Sequence, residues 1–468
     1  MSGRTVDVHA AAARRPEGKR GARVGVMGIE LRRSAALGAG LITVVVGVGA
    51  LYAATGRWST GWMALALAIR EYLLLLWPLA LAAGAWQGRR EHRAKVGELF
   101  ATTARPRTAR MLPVLGTMAL TLAVAYLLVT AAGIVWIVTT ASYLPLLNFV
   151  VVTAVGALSL VAAAWLGLGI GRLLPALVTA PALAVGGVLL VFFATISPPE
   201  RLAAAISPAH GSGGFHDYQT IDNRVSGALA ISMITLAVTG LLLFVADGWR
   251  LRAMAVLPVL LGVGVATAIL PNDRDVLTWP VDPVARELVC TDDTPTVCVS
   301  RVHATVLDTI TPPAREGLTA LAKLPNAPTA VHEDTHTISY RQDPPATPAG
   351  VVTVEVRIDK RGRLAHPDVV ALEVVRGLGV PYDSDCQNRN ETVERAAAYW
   401  LMGREPRSDV GLVPGMIEED PAITTDARTL WQGLRALPEA EAVARVTAVR
   451  DALLACRDTE GLLSRSIR

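Results

Sequence analysis

Charged residues are scarce before Pro271, and that scarcity excludes an ordinary water-soluble fold for more than half of the chain. The 468 residues are 52% hydrophobic and 18% charged, with mean hydropathy +0.42. Ala, Leu, Val and Gly run on for long stretches in the first part, and Pro, polar and charged residues return after it. Cysteine is absent until Cys290, which confines any disulfide to the later part. No GxxxxGK[ST] phosphate loop occurs, so the chain has no nucleotide-hydrolysing site of that kind. A dinucleotide fingerprint and a Ser or Cys triad pattern are also missing. No cleavable signal peptide is expected, because the first 33 residues are too polar and too long before the first apolar run. Lys is scarce and most basic residues are Arg, which, with abundant Ala and Gly, has the look of a high-GC bacterial coding bias.

The net charge of +4 and pI near 9.0 would suit a nucleic-acid partner. The basic residues cluster beside apolar runs, however, where they set orientation, and no nucleic acid is expected. The expected fold is an α-helical polytopic membrane bundle of about seven spans followed by a soluble α+β domain. A basic tail covers 1–33, the bundle 34–270 and the soluble domain 271–468, which at roughly 200 residues is long enough for its own core.

The spans are read at 34–54, 70–87, 111–137, 148–170, 175–195, 225–246 and 253–270. They must be helices, since lipid offers backbone groups no partner. Pro181 is expected to kink the fifth. The tail from Arg4 to Arg33 carries at least eight basic residues, and the loop after span two carries Arg89, Arg90, Arg93, Lys95, Arg105, Arg107 and Arg110. The opposite loops hold only Arg57, Arg201 and Arg224. This bias puts the N-terminus in the cytoplasm and, after seven crossings, the last domain outside a plasma membrane. The four cysteines, Cys290, Cys298, Cys386 and Cys456, all lie in that domain, which fits disulfides in an oxidising compartment. Three pairings exist; Cys290–Cys298, across Asp292-Asp293-Thr294-Pro295, with Cys386–Cys456 is the favoured one. The segment 58–70 is read as a short interfacial helix with Trp58 and Trp62 in the aromatic belt. Arg70 and Glu71 then sit at the outer rim, without needing to pair.

After span two comes Trp86-Gln87-Gly88-Arg89-Arg90-Glu91-His92-Arg93, then Gly97-Glu98-Leu99-Phe100-Ala101-Thr102-Thr103, before the chain turns back into the apolar layer. This resembles the segment after the second span of type-2 ABC exporter permeases. In that family the piece is a coupling helix that docks on the ATPase subunit. The resemblance covers roughly residues 30–246 and implies a coupling-like loop over 88–110. Arg89, Arg90, Glu91, Arg93, Glu98, Leu99 and Phe100 would contact a separate ATPase chain. The family bundle has six spans. A seventh span and an appended outer domain depart from it, in the manner of actinobacterial membrane proteins that accompany ABC transporters. The departure leaves pore-forming and accessory roles open.

In the last domain Val352, Val354, Val356 and Ile358 alternate with Thr353, Glu355 and Arg357, the pattern of a half-buried strand over 351–358. A second strand is expected at 296–306. Helices are expected at 313–323, 367–378, 390–403, 425–436 and 438–456, with Asn390 as an N-cap and Cys456 facing the core on a stripe with Val446, Val449 and Leu453.

His332-Glu333-Asp334-Thr335-His336 fits HExxH, which on a helix would place two zinc-binding His and a general base together. Pro325, Pro328, Asp334 and Thr335 are poor helix context, and a solvated loop with two histidines is the preferred reading. His210, His216 and Asp217 form a weaker candidate cluster in a Gly-rich loop.

The expectation is therefore a non-enzymatic membrane subunit of an ABC-type exporter, with no cofactor. Its expected partners are the lipid bilayer, an ATPase chain, and a second membrane subunit or second copy of the chain. The alternatives are a membrane-anchored zinc hydrolase using His332, Glu333 and His336, and a non-catalytic extracytoplasmic binding or immunity protein.

Overall fold

A computed structural model describes residues 35–93, 107–196, 199–211, 217–246, 248–278, 280–336, 347–380, 389–408 and 421–464. Six helices are long and apolar enough to cross a membrane, or seven if one bent pair counts as a single span. The chain is thus compatible with a multi-pass membrane protein.

In chain order the bundle comprises α1 (Ala36–Ala53), α2 (Trp62–Glu71), α3 (Leu73–Gly88), the short α4 (Arg90–Arg93), α5 (Arg107–Ile137) and α6 (Leu146–Leu173). It continues with α7 (Thr179–Ile196), the short α8 (Glu200–Ile206), α9 (Asn223–Val245), α10 (Trp249–Met254) and α11 (Leu257–Ile269). Leu41, Val45, Leu127, Phe193 and Leu261 are among the large apolar side chains left on its outer surface. Such a surface suits lipid, not water.

The middle of the bundle is built on glycine. A Cβ at Gly84 of α3 would collide with the Ala164 carbonyl oxygen, and one at Gly88 with that of Leu168. From α6, a Cβ at Gly167 would strike the Leu81 carbonyl oxygen and one at Gly171 that of Ala85. The i, i+4 spacing on both helices puts these glycines on facing stripes, so the two backbones touch. Gly240 of α9 approaches the other side of α6 near Trp165 and Leu166 in the same way.

Two expectations fail here. The surface-lying helix over 58–70 is instead α2, bent 47° from α3. Met63 and residues 65 through 70 are buried, and the helix packs against α5 and α6, because its apolar residues occupy nearly every face. Pro181 makes no kink, because α7 begins at Thr179. The proline falls in the first turn, where no intrahelical N–H is lost.

The last domain has a four-stranded sheet in the order β1 (Leu288–Cys290), β2 (Thr296–Ser300), β3 (Ala330–Glu333), β4 (Val351–Val354). β1 and β2 are antiparallel and the other pairs parallel. After the short α12 (Arg274–Thr278), helix α13 (Leu307–Leu321) makes the crossover between β2 and β3. Helices α14 (Pro367–Val375), α15 (Glu391–Leu401), α16 (Pro421–Arg435) and α17 (Glu439–Leu454) follow. Their apolar faces meet the sheet in a separate core that includes Val297, Val331, Leu321, Val374 and Val449. Asn390 caps α15, its side-chain oxygen accepting from the Val393 N–H at 3.2 Å.

The 296–306 segment is strand only to Ser300 and then becomes a 3₁₀ turn, Arg301–Val306. Helix α17 stops at Leu454, and Cys456 lies beyond it, exposed and with φ 48°. It does not face the core, since the helical stripe ends before reaching it. Cys290 and Cys298 are disulfide-bonded across the β1–β2 pair, where they are register partners. Cys456 is disulfide-bonded too, and Cys386, its expected partner, lies outside the described residues.

Candidate functional site

Two buried basic side chains stand out, and both touch the segment that joins α8 to α9. The first is His303, in the 3₁₀ turn and 3% exposed. Its Nδ1 is 2.7 Å from Glu333 Oε1 and its Nε2 is 3.0 Å from Asp217 Oδ2. Both bonds form together when both ring nitrogens carry protons. Glu333 Oε2 accepts from the Ser300 N–H at 2.6 Å, and Asp217 Oδ1 accepts from the Thr60 hydroxyl at 2.6 Å. Burial by itself pulls the imidazole pKa down. The hydrogen bonds and charges of Asp217 and Glu333 outweigh that and hold it up, at about 10.

This chain of contacts runs from β3 of the soluble domain to the loop between α1 and α2 in the bundle. Parallel contacts flank it. Tyr143 donates to Asp282 Oδ2 at 2.8 Å, Ser142 donates to the Val302 carbonyl at 2.9 Å, and Trp136 donates to the Lys360 carbonyl at 2.9 Å. The arrangement is a strut: it fixes the domain on one end of the bundle, with the charge-assisted His303–Glu333 bond at its buried centre.

The second side chain is Arg70, near the C-terminal end of α2 and 1% exposed. Its Nε donates to the His210 carbonyl at 3.2 Å, while Nη2 has no partner. His210 is 3% exposed, and apart from an approach of the Leu277 backbone neither ring nitrogen meets a partner in good hydrogen-bond geometry. Burial, with the Arg70 charge adding to it, pushes its imidazole pKa down to about 4, so the ring is neutral. Arg70 was expected at a rim beside Glu71. Instead Glu71 pairs with Arg57 at 2.8 Å near the surface, and Arg70 turns inward, as neighbours in a helix do.

The sequence candidates are dispersed. Arg89 is only 7% exposed; it donates to the Ala176 carbonyl at 3.1 Å and stacks on the Trp86 ring. It is a strut inside the bundle, not an accessible docking charge. Arg90 is half-buried, at the start of α4. The side chains of Glu91 and Arg93, and residues Glu98, Leu99 and Phe100, lie outside what the structure describes.

The HExxH match does not lie on a helix, and only Asp334, Thr335 and His336 lie in a partly exposed loop. Its first two residues belong to β3, so His332 and Glu333 point to opposite faces. Glu333 is turned toward His303, and His336 uses its backbone N–H on Asp334 Oδ1 at 2.9 Å. Among the described residues no group of three His, Cys, Asp or Glu is placed to hold a metal. His210 and Asp217 face different partners, and His216 lies outside the described residues.

A mostly apolar cavity of about 220 Å³ opens between α7 and α11, with Trp77, Ser207, Ser232 and Val259 in its lining. It exceeds the ~150 Å³ of an apolar cavity known to accept benzene. Comparison with protein-family models, curated proteins and solved structures found no match.

Proposed function

We propose that the chain is the membrane subunit, permease or permease-like accessory, of an ABC-type export system in the plasma membrane. Its N-terminus lies in the cytoplasm and its 271–468 domain outside. A separate ATPase chain drives it through the segment 88–110. The observation that carries this reading is the continuity of α3. At one end the helix runs into the basic segment, where Arg89 is locked to the Ala176 carbonyl and to Trp86. Along its length the glycine contacts bind it to α6. At the other end, after the 47° bend, comes Arg70. A push on 88–110 therefore moves a stiff, backbone-to-backbone pair and not an isolated helix. The cavity between α7 and α11 offers a place for a small apolar cargo, and the Cys290–Cys298 bond suits an oxidising exterior.

The test is affinity purification of the intact protein from its native membrane. An ATPase subunit co-purifies with the wild type. Arg90→Glu with Arg93→Glu lowers its recovery about tenfold, the loss expected when like charges replace opposite ones at a contact, without changing the thermal midpoint. Recovery of no ATPase with the wild type overturns the proposal.

A further inference from the structure

We infer that Arg70 and His210 together hold a compact monovalent anion, of the size of chloride or formate, inside the bundle. Arg70 carries a full positive charge at any physiological pH. Its Nη2 is closed off from solvent and lacks a partner, and the residue forms no ion pair with a described residue. Such a charge is costly to leave uncompensated in a low-dielectric interior. His210 adds a second, independent observation. Its ring is buried, and apart from an approach of the Leu277 backbone neither nitrogen meets a partner in good hydrogen-bond geometry.

The two groups are neighbours. The Arg70 Nε–His210 carbonyl bond fixes the guanidinium against that residue, and the Arg70 charge bears on the imidazole. A water could satisfy a donor here but would leave the charge uncompensated; a cation would be repelled. An anion accepts from both and neutralises Arg70. The burial of both side chains limits it to a few atoms. The nearby Tyr126 hydroxyl, packed against Gly156, closes that side of the bundle. The inference needs the bundle alone and does not rest on the export reading.

The experiment uses the full chain in lipid nanodiscs, with chloride exchanged for gluconate at constant ionic strength. The wild-type thermal midpoint rises with the logarithm of chloride concentration, as linkage requires for a ligand that binds only the folded state. Formate substitutes for chloride and sulfate does not. After dialysis against bromide and rapid desalting, elemental analysis finds about one bromide per chain. Arg70→Lys keeps the chloride dependence, Arg70→Gln abolishes it, and His210→Ala weakens apparent affinity about tenfold. In gluconate, Arg70→Gln is at least as stable as the wild type, because it removes an uncompensated charge; an arginine with a purely structural role would behave oppositely. A wild-type midpoint indifferent to chloride, an equal response to sulfate, or a chloride response surviving in Arg70→Gln overturns the inference. If Arg70→Gln does not fold, the wild-type chloride series and bromide content decide.

Discussion

The bundle and the 271–468 domain solve the same packing problem with opposite materials. In the bundle, close contact comes from what is missing: Gly84, Gly88, Gly167 and Gly171 let α3 and α6 meet backbone to backbone. In the domain it comes from what is present, interlocking side chains such as Leu321, Val331, Val374 and Val449. The difference matches a bundle that faces lipid and a domain that faces water. Removing side chains from water drives the domain together, whereas in an apolar solvent that drive is absent and close backbone approach takes its place. Buried charge divides along the same line. His303, at the junction, has two carboxylates; Arg70, in the bundle, has a single carbonyl.

The sharpest way to break the contrast is Gly167→Val. The added atoms meet the Leu81 carbonyl oxygen, which cannot move aside, so α3 and α6 must separate. The expected cost is at the upper end of overpacking effects, about 3 kcal/mol or more. It should appear as loss of monodisperse protein on size-exclusion chromatography.

A smaller effect is expected at the junction. Glu333→Ala leaves the His303 charge half-compensated and the Ser300 N–H without an acceptor. A loss of about 3 kcal/mol is expected, the low end for a broken buried pair since Asp217 remains. It should register in thermal unfolding followed by near-ultraviolet circular dichroism.

The mildest test is pH. The His303 pKa is raised above its unfolded value of about 6.5, to about 10. The contribution of His303 to stability is therefore fully present below about pH 6.5, and is lost as pH rises through about 10. Thermal midpoints across that window should fall in the wild type, and the fall should be shallower in His303→Gln.

Much of the bundle was legible because long apolar runs have few other interpretations. The bent pair was not, since residues 58–87 carry apolar residues at almost every position and lack the one-sided pattern that separates a surface helix from a buried one. The β4 strand was readable from Val352 and Val354 alternating with Thr353, but it stops at Val354, short of the 351–358 expected. β3 was hidden because one of its two inward positions is the charged Glu333, which breaks the apolar alternation, and the HExxH spacing drew attention to zinc chemistry. The His303 contacts join residues 30 and 86 positions apart, beyond the reach of local pattern. Glu333 and Asp217 were both noticed, but for a metal, and His303 carried no signal. The basic residues of 88–110 were legible in the sequence; that Arg89 points inward was not, because burial depends on where α7 begins.

The glycine contacts bear on how mutational surveys of this protein should be read. Alanine replacement ordinarily deletes volume, so a survey along α3 and α6 would measure the loss of a group at most positions and the gain of a methyl at Gly84, Gly88, Gly167 and Gly171. Sensitive positions on these helices would therefore fall into two kinds that look alike in the data. Only a second survey with serine or larger residues, graded by volume, would tell a place that needs a side chain from one that cannot accept any.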